Sequence, residues 1–100
     1  MEIIPLKEWE KHYGDAFSEV HEPIRTVEVA TKTRSGFPGE TYRIEIVRRW
    51  PQDDCTARYQ VLAEGRWVTV NIGTGDCARE PDQMLTRALS IVANCSHSAR

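Results

Sequence analysis

The stretch that decides the fold covers residues 55–72, with the sequence CTARYQVLAEGRWVTVNI. Its apolar residues recur at every second position, which is typical of β-strands that bury one face. We expect one strand over residues 55–62 and another over residues 67–72. Gly65 in the short connection can adopt a positive φ, so the stretch predicts a β-hairpin. The predicted inward face carries Ala57, Tyr59 and Val61 in the first strand, and Val68, Val70 and Ile72 in the second.

Two further strands are expected before this hairpin, because the same alternation begins at Ile24. The Gly- and Pro-containing segment Arg34–Glu40 separates them as a long loop, and residues 50–54 form the turn that leads into the hairpin. The residues of these two strands that are predicted to face the core are Val27, Val29, Tyr42, Ile44 and Ile46.

Both ends of the chain show the spacing of three and four residues that indicates an amphipathic helix. We predict a first helix over Pro5–Val20, closed by Pro23, which disfavours helical geometry in the residue before it. A second helix begins at Pro81, a residue that suits the first helical turn. The predicted buried stripes are Leu6, Trp9, Tyr13, Ala16, Phe17 and Val20 in the first helix, and Met84, Leu85, Ala88, Leu89, Ile91 and Val92 in the second.

The chain of 100 residues is therefore predicted to be a single α+β domain with the order α-β-β-β-β-α. Short connections favour a four-stranded antiparallel meander with two helices packed on one face. We assign the domain to residues 1–95 and a flexible C-terminal tail to residues 96–100. The sheet face away from the helices carries polar residues, as expected for a face in contact with water.

The net charge of −2 conceals an uneven distribution along the chain. Residues 1–24 carry a net charge of −4, residues 25–49 one of +3 and residues 50–100 one of −1. The basic excess falls on the first hairpin, where the arginines can pair with Glu28 and Glu45 across strands or form a binding site. The predicted binding residues of the polar sheet face are Arg43, Arg49, Arg58 and Trp67.

Arginines beside an aromatic ring can hold phosphates and stack a base, which makes single-stranded nucleic acid an alternative ligand of this face. In element order the chain is similar to a double-stranded-RNA-binding domain with one extra strand. That family has a lysine-rich start to its last helix, whereas this chain has Glu80, Pro81 and Asp82 there. Nucleic acid is therefore less favoured than a protein partner.

The sequence contains residues that are typical of three further kinds of site. A thiol enzyme would be centred on Cys77, which precedes the second helix. Cys77, Cys95 and His97 lack the paired short spacings of a structural zinc site, so we expect no metal and no cofactor. The segment Gly73–Asp76 lacks the pattern of a phosphate-binding loop and is interpreted as a connection.

Three widely spaced cysteines and an N-terminus without a signal-peptide pattern favour the cytoplasm, and the short apolar runs predict no membrane span. No pair of nucleophile and base is visible in the sequence. The favoured function is thus a small, non-catalytic binding module that uses the open sheet face. Its partner would be a second copy of the chain, in a homodimer, or another protein.

Overall fold

The computed structural model describes residues 5–33, 36, 38–73 and 75–98, with side chains as far as residue 94. Four antiparallel strands form one sheet in the order β1-β2-β3-β4, with a helix on either side of them in the sequence. The predicted order α-β-β-β-β-α and the antiparallel meander are confirmed. The elements are α1 (Trp9–Tyr13), β1 (Val20–Ala30), β2 (Thr41–Trp50), β3 (Asp54–Ala63), β4 (Arg66–Val70) and α2 (Pro81–Ser98).

The core lies between α2 and one face of the sheet. Every second residue of β2 and β3 directs an apolar side chain towards α2, and the apolar side of α2 packs against these side chains. Val68 points to the same side but is 46% exposed, because α2 packs mainly on β2 and β3. Its predicted place in the core was therefore wrong. The buried core residues are Tyr42, Ile44, Ile46, Cys55, Tyr59, Ala78, Met84, Ala88 and Val92.

The first helix is much shorter than the predicted Pro5–Val20. A 3₁₀ turn over Leu6–Glu8 leads into α1, which ends at Tyr13. Gly14 still donates to the carbonyl of Glu10, and the chain then leaves the helix because residues from Val20 onward pair with β2. Strand pairing thus overrides the helical spacing of the apolar residues.

Pro23, predicted to close the helix, lies inside β1 instead. β1 is an edge strand that pairs only with β2, so a missing N–H on its outer side leaves no ladder bond unmade. The register shifts between Pro23 and Arg25, which leaves Ile24 as the extra residue of a bulge. Pro and a bulge together are a common way of protecting an exposed sheet edge.

The hairpin of β3 and β4 is present, with positive φ at Glu64 and Gly65 in its turn, but β4 ends at Val70 and not at the predicted residue 72. β4 is shorter than β3, however, and its pairing ends where Val70 meets Tyr59. Near the N-terminal end of β3, Cys55 pairs with Ala78 through two backbone hydrogen bonds; Ala78 lies in the connection between β4 and α2. At Cys55 the edge of β3 is therefore paired with a connection rather than with a strand.

The backbone of α2 continues to Ser98, within residues 96–100 that were predicted as a flexible tail. The side chains of residues 95–98 and all of residues 99 and 100 lie outside the described part, so the tail stays a prediction. In the part of the chain that the structure describes, no helix has the length and apolar character needed to cross a membrane.

Candidate binding surface on the open sheet face

The sheet face opposite α2, which we call the open face, carries the four predicted site residues. The register places Arg43 between Glu28 and Gln60, and Arg58 opposite Glu45. Alternation puts all of these side chains on the same face. The predicted polar residues of the open face that lie within strands are Thr26, Glu28, Arg43, Glu45, Arg49, Thr56, Arg58, Gln60, Trp67 and Thr69.

Arg43 and Trp67 are brought together as predicted. The Arg43 guanidinium carbon lies 4.0 Å from the centroid of the Trp67 ring, within the range of a cation–π contact. The same guanidinium donates to the Glu28 carboxylate, with an N–O distance of 3.2 Å. A ring on one side and a carboxylate on the other fix the orientation of this arginine.

Arg58 forms the second contact group of the open face. Its side chain is 52% exposed, and one terminal nitrogen lies 3.2 Å from a carboxylate oxygen of Glu45. The other terminal nitrogen lies 3.1 Å from Nδ1 of His21, whose Nε2 is 3.2 Å from Glu19. The contact with His21 was not predicted, because His21 directly follows the predicted helix Pro5–Val20 and the register of β1 places it opposite Arg49 rather than beside Arg58.

Arg49 is held apart from the other predicted site residues. It lies four residues beyond Glu45 on β2, roughly 13 Å at the rise of a strand. Its Nε and Nη2 donate to the two carboxylate oxygens of Asp54 at 2.9 and 2.8 Å. Donation by Arg49, and more weakly by the Cys77 thiol, lowers the pKa of Asp54, and the same pair raises the pKa of Arg49. Arg49 therefore acts as a cross-strand tie.

Among the remaining charges of the basic hairpin, Arg48 does not add to this site. Arg48 points to the other face, where its guanidinium donates to the Asp53 carboxylate at 2.8 Å and to the Arg79 carbonyl. Lys32 lies in the loop after β1, and Arg34 falls outside the described residues. Each of the three predicted arginines is thus paired with a carboxylate on its own face.

A cavity of about 530 Å³ opens at the end of β4, beside the open face. Arg58, Glu45 and Gln60 border it from the sheet, and Gly73 and Gly75 border it from the following loop. This volume lies within the range of small-molecule sites, roughly 300–1,000 Å³. The residue pattern does not indicate this cavity, because its position depends on where β4 ends.

The other candidate sites gain little from the structure. Cys77 is exposed, and the described histidines contact other groups: His12 lies beside Tyr13, and His21 contacts Glu19 and Arg58. Burial raises the pKa of the Cys55 thiol, which disfavours the reactive thiolate. Among the described residues, no group of three or more His, Cys, Asp or Glu side chains is placed to hold a metal ion.

The fold and this surface define the chain as a small α+β domain with one covered and one open sheet face. No protein-family model, curated protein or solved structure matches it.

Proposed function

We propose that the chain is a non-catalytic protein-binding module whose open face, around Arg43, Arg58 and Trp67, contacts the partner. The observation that carries this proposal is the fixed position of Arg43 between Glu28 and the Trp67 ring. Arginine and tryptophan are among the residues that most often dominate protein interfaces. Side chains that are already oriented lose less conformational freedom on binding than mobile ones.

The extent of the open face supports a transient interaction. Three strands of ten or eleven residues and a fourth of five residues, about 4.8 Å apart, present a face of roughly 500 Å². A stable interface buries about 800 Å² on each partner, and smaller ones are typical of transient complexes. The partner is another protein or a second copy of this chain.

The pairing of charges favours protein over nucleic acid. Nucleic-acid affinity comes mainly from cations that replace counterions at phosphates. Here Arg43 and Arg58 each face a carboxylate, and a cation already occupies one side of the Trp67 ring. A phosphate would have to compete with the carboxylates of Glu28 and Glu45 for these two arginines.

The test compares proteins captured on three immobilised baits: the wild type, the double variant R43A/W67A, and R66A as a control on the exposed end of β4. We expect at least one protein to be retained about tenfold less by the double variant, the factor expected for a residue that dominates an interface. The control should retain it fully. Identical sets of proteins on all three baits would exclude this surface.

Two measurements separate the classes of partner. Sedimentation of the wild type and of R43A/W67A shows whether the partner is a second copy, because only the wild type should then dimerise. Fluorescence anisotropy with a labelled single-stranded oligonucleotide at low salt should show no saturable binding. Saturable binding that weakens in R43A/R58A would replace the proposal with nucleic-acid binding.

A further inference from the structure

The edge of β3 has a gap at Ala57. Upstream, Cys55 exchanges two backbone hydrogen bonds with Ala78, and downstream Tyr59 pairs with Val70 of β4. Between these two pairs, none of the described residues of the chain after β4 forms a ladder pair with β3. Ala57 has no backbone partner on this side among the described residues.

The direction of the Ala57 backbone groups follows from strand geometry. In an antiparallel sheet, the N–H and C=O of a residue point to the same neighbouring strand, and the direction alternates from one residue to the next. Cys55 directs both groups away from β2, towards Ala78. Ala57, two residues on, therefore also directs its N–H and C=O away from β2.

These two groups face the cavity of about 530 Å³, which Ala57 lines. Gln60, Thr69 and Asn71 add further hydrogen-bonding side chains to its wall. Its charged residues, Arg58 and Glu45, form an ion pair with each other, so the wall as a whole is close to neutral. A backbone donor and a backbone acceptor thus stand side by side at the wall of a polar, uncharged cavity.

The flanking pairs limit what this gap can hold. Cys55 and Tyr59 are four residues apart, roughly 13 Å along the strand. A peptide that extended β4 along this edge would meet Val70 at one end and Ala78 at the other. A single cis amide, which has its acceptor and its donor on the same edge, fits the space between them.

We propose that the cavity binds a small, neutral, planar molecule with an amide edge, such as a lactam, through the N–H and C=O of Ala57. The Ala57 N–H donates to the ligand carbonyl, and the Ala57 carbonyl accepts from the adjacent ligand N–H. The site borders the open face at Arg58 but does not depend on protein binding there.

The test is a titration of ¹⁵N-labelled protein with uracil, whose ring places an N–H beside a C=O. We expect saturable shifts of the Ala57, Arg58 and Gly73 amides at roughly millimolar uracil, the affinity of a ligand with few atoms. 1,3-Dimethyluracil, which lacks both N–H groups, should bind about fivefold more weakly, the factor for one net hydrogen bond. Equal affinity for both compounds, or no saturable shift with uracil, would overturn the proposal.

Two variants locate the site. Ala57→Pro removes the N–H on the side away from β2, where a strand tolerates proline, and should weaken uracil binding about fivefold or more. If that variant does not fold, Asn71→Trp places a large side chain at the exposed rim of the cavity and should have the same effect.

Ala30→Trp, at an exposed position of β1 outside the cavity, is the matched control and should bind uracil like the wild type. Wild-type affinity in Asn71→Trp would refute the site. Neither Ala57 nor Asn71 belongs to the proposed protein surface, so capture of a partner should persist in both variants, and the two proposals can fail separately.

Discussion

Replacing Asp54 by Asn tests whether the Arg49–Asp54 pair is a structural tie of the sheet rather than part of the binding surface. The pair is bidentate, with N–O distances of 2.9 and 2.8 Å. Its side chains are only 31% and 21% exposed, for Arg49 and Asp54 respectively. Asn keeps the shape of Asp and removes its charge.

The expected cost follows from the geometry. Exposed ion pairs contribute about 0.2–1 kcal/mol, and a bidentate, mostly covered pair belongs at the upper end. Asp54→Asn should therefore lower the free energy of unfolding by about 1 kcal/mol at pH 7. We do not expect a larger loss in the free energy of unfolding, because water screens the exposed part of the pair.

The stabilisation by the Arg49–Asp54 pair changes with pH in a defined direction. The hydrogen bonds from Arg49 lower the pKa of Asp54 in the folded protein. The contribution of the pair is thus fully present above the pKa of the unfolded chain, about 3.9 for Asp. It is lost as the pH falls through the lower pKa of the folded state, so the variant and the wild type should converge below about pH 4.

The assay is urea unfolding of the wild type and of Asp54→Asn, followed by tryptophan fluorescence at pH 7 and at about pH 2.5 with constant ionic strength. Glu28→Gln is the control, because Glu28 is 54% exposed and its pair with Arg43 should contribute half as much or less. A cost for Asp54→Asn that is equal at both pH values, or no larger than that of Glu28→Gln, would refute the reasoning.

Two further predictions concern the framework around the site. Ile46→Ala removes a fully buried core side chain and should lower the free energy of unfolding by about 2–5 kcal/mol in urea; a change below about 1 kcal/mol would mean that α2 does not cover β2. Gly73→Ala should destabilise the protein more than Gly75→Ala, because φ is positive at both but only at Gly73 would the new Cβ lie 2.6 Å from Ile91. Thermal unfolding of the two variants compares them directly, and equal melting temperatures would contradict the packing of the loop against α2.

The strands and α2 were predictable because their burial follows their local periodicity. In β2, Tyr42, Ile44 and Ile46 alternate with polar residues, and that alternation is the pattern of burial in the fold. In α2, Met84, Ala88 and Val92 recur every four residues on the buried side. In such segments the residue pattern and the tertiary contacts agree.

The N-terminal segment was not predictable in the same way. Leu6, Trp9, Tyr13, Phe17 and Val20 have helical spacing, and they do line one apolar cavity of about 210 Å³. Only the first part of the segment is helical, however, because Val20 pairs with Trp50 of β2. The predicted buried stripe was wrong for Leu6, Tyr13, Ala16 and Phe17, which are exposed, because the segment is not one continuous helix; a partner 30 residues away decides its backbone.

The same distinction applies to the site. The contact of Arg43 with Trp67 and the cross-strand partners Glu28 and Glu45 follow from the strand register, which alternation specifies. The partner of Arg49 depends on where the turn after β2 ends. The cavity depends on β4 stopping at Val70 while β3 continues, and residue types alone do not encode such a difference in strand length.

The open face and the cavity share one property, because the charged side chains at both are paired with opposite charges. The first hairpin is basic by composition, yet its Arg43 and Arg49 meet carboxylates from β1 and β3, and Arg58 of β3 meets Glu45 of β2, so these charges do not form a positive surface. Screening by salt weakens exposed charges most, whereas oriented hydrogen bonds and ring contacts depend on geometry. Binding at either proposed site should therefore change little between low and moderate salt, unlike the steep loss expected for a phosphate-binding surface.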